Sequence, residues 1–540
     1  MESSLPANYQ PLTPLSFLRR ASYVFGNKTA VVYGDWRYPW KEFAVRVNCL
    51  SSALKDLGIK KGDKVAFLAR NLPPLLEAHY GVPQAGAVLV TLNTRFFSRE
   101  LSYILNHSES KILFVDETLA DHIEPKDIPG VKTIIGIADE GKRSEIAQKF
   151  AWMEYEDFLK QGSDKYVRPD LKDENDAISI NYTSGTTGLP KGCVYTHRGT
   201  YIQALVQTIE TGLNVDSVFL WTLPMFHCNG WCRTWAVACQ GSTSVCMPRP
   251  DPPEVYHLMV KEVVTHMCGA PIVWARLGEY MDARGLKFPH RVKVEFGGAA
   301  PPLKVIQSME SKGAEVIHGY GLTESLDGMT ICERQPEWAQ LSVEERAKLK
   351  CRQGVPNVAA GEVRVVDENM QDVPADGKTV GEIVARSNAL LKEYYKQPEE
   401  TATAFSGGWF HTGDGAVIHP DGYLEIKDRF KDVIKSGGEL ISSIEVENIV
   451  CEHPDVAEAA CFAVKDEEWG EIVKALVTPK PGVRPTAKEI IDFCRARIAH
   501  YKCPKLVEFG EITRSSTGKV LKDVLRKREQ VQNSGEGKTK

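Results

Sequence analysis

A chain of 540 residues exceeds what one hydrophobic core usually supports, so roughly two to four folding units are expected. With 43% hydrophobic and 25% charged residues the composition is that of a globular protein. Its 66 basic and 71 acidic side chains leave a net charge of −5, which excludes a basic field suited to nucleic acid or an anionic membrane. Thirteen cysteines occur without a CxxC pair. Cys228, Cys232, Cys239 and Cys246 lie close in sequence, yet lack the paired spacing of a zinc site, and are read as buried thiols of a reducing compartment.

From the N-terminus, Met1 to Gln10 carries neither the basic nor the apolar region of a secretory signal. Lys64 to Leu68 reads as a strand, Leu75 to Gly86 as a helix and Ala87 to Leu92 as the next strand, with Lys111 to Asp116 and Lys132 to Gly136 as two more. The stretch Leu75 to Leu92 holds Glu77, His79, Pro83 and Gln84, so it does not read as a transmembrane helix. Strand–helix–strand repetition implies layered α/β sheets, largely parallel. Val292 to Phe296 is a further strand running into Gly297-Gly298. From about residue 354 short strands with turn residues, Gly361 to Asp367 and Gly381 to Ala385, imply a β-rich subdomain reaching to about 430. A compact α+β unit is expected over 431–530, with Ser443 to Cys451 as helix, Val456 to Val464 as strand and Lys488 to Ala499 as helix; 531–540 reads as a frayed tail. The fold expected is therefore a large N-terminal α/β domain over 1–430 plus a small mobile C-terminal domain.

The most informative segment follows the strand Ala177 to Asn181. In Tyr182-Thr183-Ser184-Gly185-Thr186-Thr187-Gly188-Leu189-Pro190-Lys191-Gly192, hydroxyls and glycines alternate and one lysine closes the loop. Glycines let backbone amides approach phosphate oxygens, hydroxyls donate further bonds and lysine adds a point charge. The spacing is not that of GxxxxGK[ST], which disfavours an ordinary P-loop nucleotidase.

This loop resembles that of the adenylate-forming superfamily, which holds acyl-CoA synthetases, peptide-synthetase adenylation domains and luciferases. Further segments resemble that family's motifs in the expected order: Pro224 to His227, Gly297 to Pro301, Tyr320 to Ser325, Trp409 to Asp414, Asp428 to Asp432 and Ser516 to Lys519. The resemblance implies ATP, Mg2+ and coenzyme A as reactants and cofactor, and a small-molecule carboxylate as substrate. It implies Glu324 as the Mg2+ ligand with Thr183 beside the phosphates, Thr323 on the α-phosphate, and Lys519 over the α-phosphate and substrate carboxylate. Tyr320 offers a face for adenine, with Gly321 behind it and the small Gly298, Ala299 and Ala300 opposite. Asp414 would accept from the ribose hydroxyls, aided by Arg429. The motif around Lys519 departs mildly from the family pattern, with Thr517 for Ser and no upstream proline.

Adenylation needs a dry, closed site and thiol transfer needs an open path for a bulky nucleophile. The family meets both needs by rotating its C-terminal domain. Lys431 matches the hinge, and Gly437-Gly438 match the loop bordering the pantetheine path. His227, Trp231 and Trp235 are expected to line the acyl pocket with Gly298; Trp231 and Trp235 would share a face if the segment were helical. Their bulk implies a short or medium-chain acid, or one aromatic ring. The run Phe226 to Trp235 with Asn93-Thr94-Arg95 resembles plant acyl-activating enzymes and methylmercaptopropionate-CoA ligases. A luciferase-like oxidoreductase and a stand-alone enzyme loading a carrier protein are the alternatives. A glycan on the sequon at Asn181 would block the phosphate loop, which argues against secretion, and Gly-Lys-Thr-Lys is not a peroxisomal address of the Ser-Lys-Leu type, so the cytoplasm is expected; the oligomeric state is open, a homodimer being one option.

Overall fold

Apolar residues on both faces of a strand require cover on both sides, and the chain supplies it in layers. In Lys64–Leu68, Val65 and Phe67 face one core while Ala66 and Leu68 face another. The computed structural model describes residues 7–139, 153–183, 189–515 and 519–533. An eight-stranded sheet runs in the order Glu393–Tyr394, Gly192–Thr196, Ala177–Tyr182, Val88–Thr91, Lys64–Leu68, Ser110–Asp116, Thr133–Ile137, Met153–Glu154. It is parallel from Ala177–Tyr182 onward and antiparallel at the other edge.

A nine-stranded sheet repeats the plan. Its parallel block contains Glu315–Gly321, Lys293–Phe296, His266–Gly269, Val218–Leu220, Thr243–Val245 and Thr29–Tyr33, with antiparallel strands at both ends. Helices Leu15–Val24, Trp40–Asp56, Pro73–Gln84, His197–Thr211 and Arg233–Cys239 contribute, with inward residues of both sheets, to one shared core. Helices Pro252–Lys261, Pro271–Asp282 and Leu303–Ser311 cover the outer face of the nine-stranded sheet, and Ser98–Ser108 that of the eight-stranded one.

Glu362–Val366, Gly381–Arg386, Phe410–Ile418 and Leu424–Arg429 form a four-stranded antiparallel sheet. The β-rich segment expected over 354–430 is not self-contained, however. Val355–Pro356 extends the nine-stranded sheet and Glu393–Tyr394 extends the eight-stranded one. Both segments satisfy their backbone groups on edges of distant sheets, a choice that local patterning does not reveal.

After residue 430 the chain builds a separate sheet from Ile434–Ser436, Glu439–Ile441, Val456–Asp466 and Gly470–Pro479, with Leu506–Phe509 parallel to the last. Helices Ser443–Cys451 and Ala487–Arg495 cover one face, and Leu525 of Lys522–Asn533 packs on the other. That last helix runs past residue 530, where a frayed tail was expected; residues 534–540 lie outside the described residues. Among the described residues no helix is long and apolar enough to cross a membrane.

Candidate functional site

The phosphate-loop candidate rises from adjacent antiparallel strands, Ala177–Tyr182 and Gly192–Thr196. Thr183 N donates to the Lys191 carbonyl at 2.9 Å, and Lys191 N donates to Thr183 Oγ1 at 3.3 Å. These contacts pinch the base of the loop. Ser184, Gly185, Thr186, Thr187 and Gly188 lie outside the described residues. The Lys191 ammonium pairs with Glu400 and stands 5.1 Å from the centroid of the Tyr394 ring.

Thr183 and Lys191 open onto a cavity of ≈ 810 Å³ that is also lined by His227, Trp231, Gly298, Gly321, Thr323, Glu324, Arg429, Lys431 and Lys519. A neighbouring cavity of ≈ 730 Å³ shares Gly298, Gly321, Arg429 and Lys519 and adds Ala299, Ala300, Tyr320 and Asp414. Strand Glu315–Gly321 delivers Tyr320 and Gly321, and a short turn, Thr323–Ser325, delivers Thr323 and Glu324. The Ser325 hydroxyl accepts from Leu322 N at 2.9 Å and donates to the Asp327 carbonyl at 2.6 Å, fixing that turn. The Tyr195 hydroxyl donates to the Thr323 carbonyl at 2.6 Å, and the Tyr394 hydroxyl to Glu324 Oε1 at 2.9 Å.

Asp414 and Arg429 are cross-strand partners on Phe410–Ile418 and Leu424–Arg429. Asp414 is buried; Arg429 Nε forms an ion pair with its Oδ1 at 2.9 Å and the Tyr320 hydroxyl donates to its Oδ2 at 2.7 Å. Each carboxylate oxygen offers two lone pairs, so Asp414 keeps acceptor capacity for a pair of vicinal hydroxyls. The Tyr320 bond also holds the aromatic ring over the same space.

Lys519 is the only one of these groups supplied by a segment beyond residue 431. Burial, with the Arg429 guanidinium and Lys431 ammonium nearby, pulls its pKa down to about 8, against some opposition from Asp414 and Asp432. An anionic ligand would reverse that shift. Burial likewise drops His227 to about 4, so at neutral pH it presents a neutral imidazole rather than a cation. Burial lowers Lys431 too, although Asp523, 3.5 Å away, opposes this.

At the far wall of the cavity the backbone is unusual. Cys228, Asn229, Gly230, Trp231 and Cys232 have φ of 44°, 43°, 61°, 49° and 59°, a continuous left-handed turn. Left-handed backbone costs L-residues roughly 1–2 kcal/mol each, so surrounding contacts must hold it. The turn lays the Trp231 ring against Gly297, where an added Cβ would come within 2.8 Å of the indole. It also corrects the expectation that Trp231 and Trp235 share a face. Right-handed helix begins only at Arg233, and Trp235 points into the core. Its indole N–H donates to the His79 carbonyl at 3.1 Å, and its ring meets His79 edge-on. Trp235 does not line the cavity.

Gly437 and Gly438 also stand off both cavities, in the turn between Ile434–Ser436 and Glu439–Ile441, with φ of 58° and 86°. Conversely, sequence reasoning missed Tyr394 and Glu400, which line the cavity against Glu324 and Lys191. Neither sits in a recognisable motif, and only the long-range pairing of Glu393–Tyr394 with Gly192–Thr196 brings them there. For Mg2+ the donors suit a hard cation: the Glu324 carboxylate and the Thr183 hydroxyl border one space. Among the described residues no cluster of three or more His, Cys, Asp or Glu converges.

Residues 18–395 match the family model described as AMP-binding enzyme, and residues 445–519 match that described as AMP-binding enzyme C-terminal domain. The chain is 47% identical to 4-hydroxybutyrate–CoA ligase 2 of Metallosphaera sedula, over 96% of this chain and 94% of that protein. It is 44% identical to the peroxisomal acetate/butyrate–CoA ligase AAE7 of Arabidopsis thaliana, over 97% and 95%. The fold matches that of ATP-bound MatB from Rhodopseudomonas palustris with a TM-score of 0.84 at 25% identity, covering 96% of this chain and 99% of that one.

Proposed function

The chain belongs to the AMP-binding enzyme family and is an AMP-forming acid–thiol ligase using ATP, Mg2+ and coenzyme A; on that premise we propose that it activates a short to medium-chain acid, with the cavity residues dividing the work as follows. One observation carries this division: Lys519, from beyond residue 431, lines the same cavity as His227, Thr323 and Glu324.

The first half-reaction sets a carboxylate against the α-phosphate of ATP, two anions that repel. The Lys519 ammonium neutralises that repulsion where the new bond forms, and the Thr323 hydroxyl donates to the α-phosphate. Thr183 and Lys191 hold the outgoing phosphates. Glu324, with Thr183 beside it, would hold Mg2+, which when bound supplies charge neutralisation on the phosphates. Tyr320 stacks on adenine against Gly298, Ala299 and Ala300, while Asp414 and Arg429 fix the ribose. His227, uncharged, lines the acyl end without competing for the carboxylate. For thiol transfer the segment after Lys431 turns about that residue. This withdraws Lys519 and brings Gly437 and Gly438 to the pantetheine path.

The acid is limited by Trp231, whose ring against Gly297 closes the cavity. Two relatives, named as a 4-hydroxybutyrate and an acetate/butyrate ligase, favour an aliphatic acid of that size; a single aromatic ring is the second choice. Pyrophosphate release across carboxylates of graded length, with and without coenzyme A, tests the proposal. Acids near butyrate should outcompete palmitate, and a preference for palmitate would refute the wall.

The cellular site is proposed as cytoplasmic. Thirteen free cysteines suit a reducing compartment, and Asn181, the sequon nearest the site, is buried on its strand where no glycan fits. A fluorescent fusion imaged against peroxisomal and cytoplasmic markers tests this, since one relative is named peroxisomal.

A further inference from the structure

The left-handed turn that carries Trp231 needs a restraint, and the contacts around it single one out. Asn229 is fully buried at the middle of that turn. Its Oδ1 accepts from Ser179 Oγ and from Asn181 Nδ2, both at 2.8 Å, and its backbone N–H donates to Asn181 Oδ1 at 2.8 Å. Ser179 and Asn181 are themselves buried on strand Ala177–Tyr182, which feeds the phosphate loop. On the other side the Thr234 hydroxyl donates to the Asn229 carbonyl at 3.0 Å, and Arg233 Nη1 to the Trp231 carbonyl at 3.0 Å.

The residue types fit this arrangement. Asparagine and glycine tolerate left-handed backbone, which suits Asn229 and Gly230, whereas Cys228, Trp231 and Cys232 do not and must be held by the rest. At Gly230 an added Cβ would come within 2.7 Å of the Trp221 ring, so the turn passes directly over a core side chain. The turn is thus tied at its centre to a rigid strand, and its far end sets the indole against Gly297.

We propose that Asn229 is the positioning residue that sets the acyl-length limit, by clamping the turn that aims Trp231 at Gly297. This rests on Trp231 being the acyl wall. Without the carboxamide the turn keeps its backbone bond to Asn181 Oδ1 but loses both bonds that Oδ1 accepts, from Ser179 Oγ and Asn181 Nδ2. The indole then swings from Gly297 and the cavity lengthens. Asn229 touches neither reacting atom, so the chemistry with a short acid should survive.

Asn229→Gly keeps the backbone freedom and removes only the side chain. The measurement is kcat/KM for hexanoate relative to butyrate. Asn229→Gly should raise that ratio at least tenfold, and Ser179→Ala, which removes one donor to Oδ1, at least threefold. A merely structural role would lower both activities together and leave the ratio unchanged. Trp231→Ala should raise the ratio by itself, and Asn229→Gly added to it should raise it no further, since both act through one ring. A raised ratio in Trp231→Ala with none in Asn229→Gly overturns the role of Asn229 and leaves the wall standing. An additive double variant overturns it as well. No change in Trp231→Ala, or a native preference for palmitate, overturns the wall and the clamp together. Should Asn229→Gly fail to fold, Ser179→Ala decides on the same ratio, and an unchanged value there overturns the clamp.

Discussion

In the proposed division into half-reactions, Lys519 is the residue that separates the two steps. If it serves adenylation alone, Lys519→Ala should slow acyl-AMP formation by about two orders of magnitude, the scale of losing one preorganised charge contact. Conversion of supplied acyl-AMP with coenzyme A should be nearly unaffected; equal loss in both assays would refute the role. Its pH dependence has a definite sign. A lysine depressed to about 8 is mainly protonated at neutral pH and loses its charge as pH rises through that value. The kcat/KM for adenylation, which reports the free enzyme, should therefore fall above about pH 8. Lys519→Arg, whose guanidinium keeps its proton, should lack that limb. Tyr394 offers a second check. Its hydroxyl orients Glu324, and a hydrogen bond to a charged group is worth about 1.5–3 kcal/mol. Tyr394→Phe should raise the KM for Mg-ATP by about an order of magnitude, measured with Mg2+ varied at fixed ATP.

Among the elements, the connection between strands Leu424–Arg429 and Ile434–Ser436 is short and crowded with charge. Lys431 faces Asp523, Asp432 meets Arg526 at 2.7 Å, and Arg526 also pairs with Asp523. Asp432, Asp523 and Arg526 all lie after Lys431 and would turn together, so of these pairs the Lys431–Asp523 contact is the one at the pivot itself. Lys431→Pro fixes φ there and restricts Phe430 before it. Acyl-AMP formation should persist in that variant while thioester formation collapses, with pyrophosphate release and thioester yield measured on one sample. Normal thioester turnover would remove Lys431 as the pivot.

At the scale of the whole molecule, hydrogen bonds among the described residues tie the segment beyond 431 to the rest of the chain. Lys304 Nζ donates to the carbonyls of Cys451 and Glu452 at 3.0 and 2.9 Å, at the C-terminal end of helix Ser443–Cys451. Arg95 Nη1 donates to the Ser515 carbonyl at 2.9 Å, and Asp428 accepts from Ser443 N at 2.6 Å. A cation at a helix C-terminus is worth about 0.3–1 kcal/mol. Lys304→Ala should therefore shift the balance of poses about two- to fivefold toward the other conformation. Adenylation should slow by that factor with the thioester step spared, and a distance label between residues on either side of 431 should report the shift.

The sequence by itself determined the chemistry and the local elements. Tyr320-Gly321-Leu322-Thr323-Glu324, Asp414, Arg429 and Lys519 stand in the order of the family's motifs, which are legible because each motif is a short local string of residue types. The strand Lys64–Leu68 and helix Pro73–Gln84 were legible because their periodicity and length are local properties. Tertiary structure alone decided the rest. It set five consecutive residues from Cys228 into left-handed backbone, which no pattern of apolar residues encodes, and so parted Trp231 from Trp235. It carried Glu393–Tyr394 from a β-rich stretch to a distant sheet edge, delivering the Tyr394 hydroxyl to Glu324. Periodicity shows which face of a segment is apolar, but the free energy of pairing and packing against residues far along the chain selects its partner.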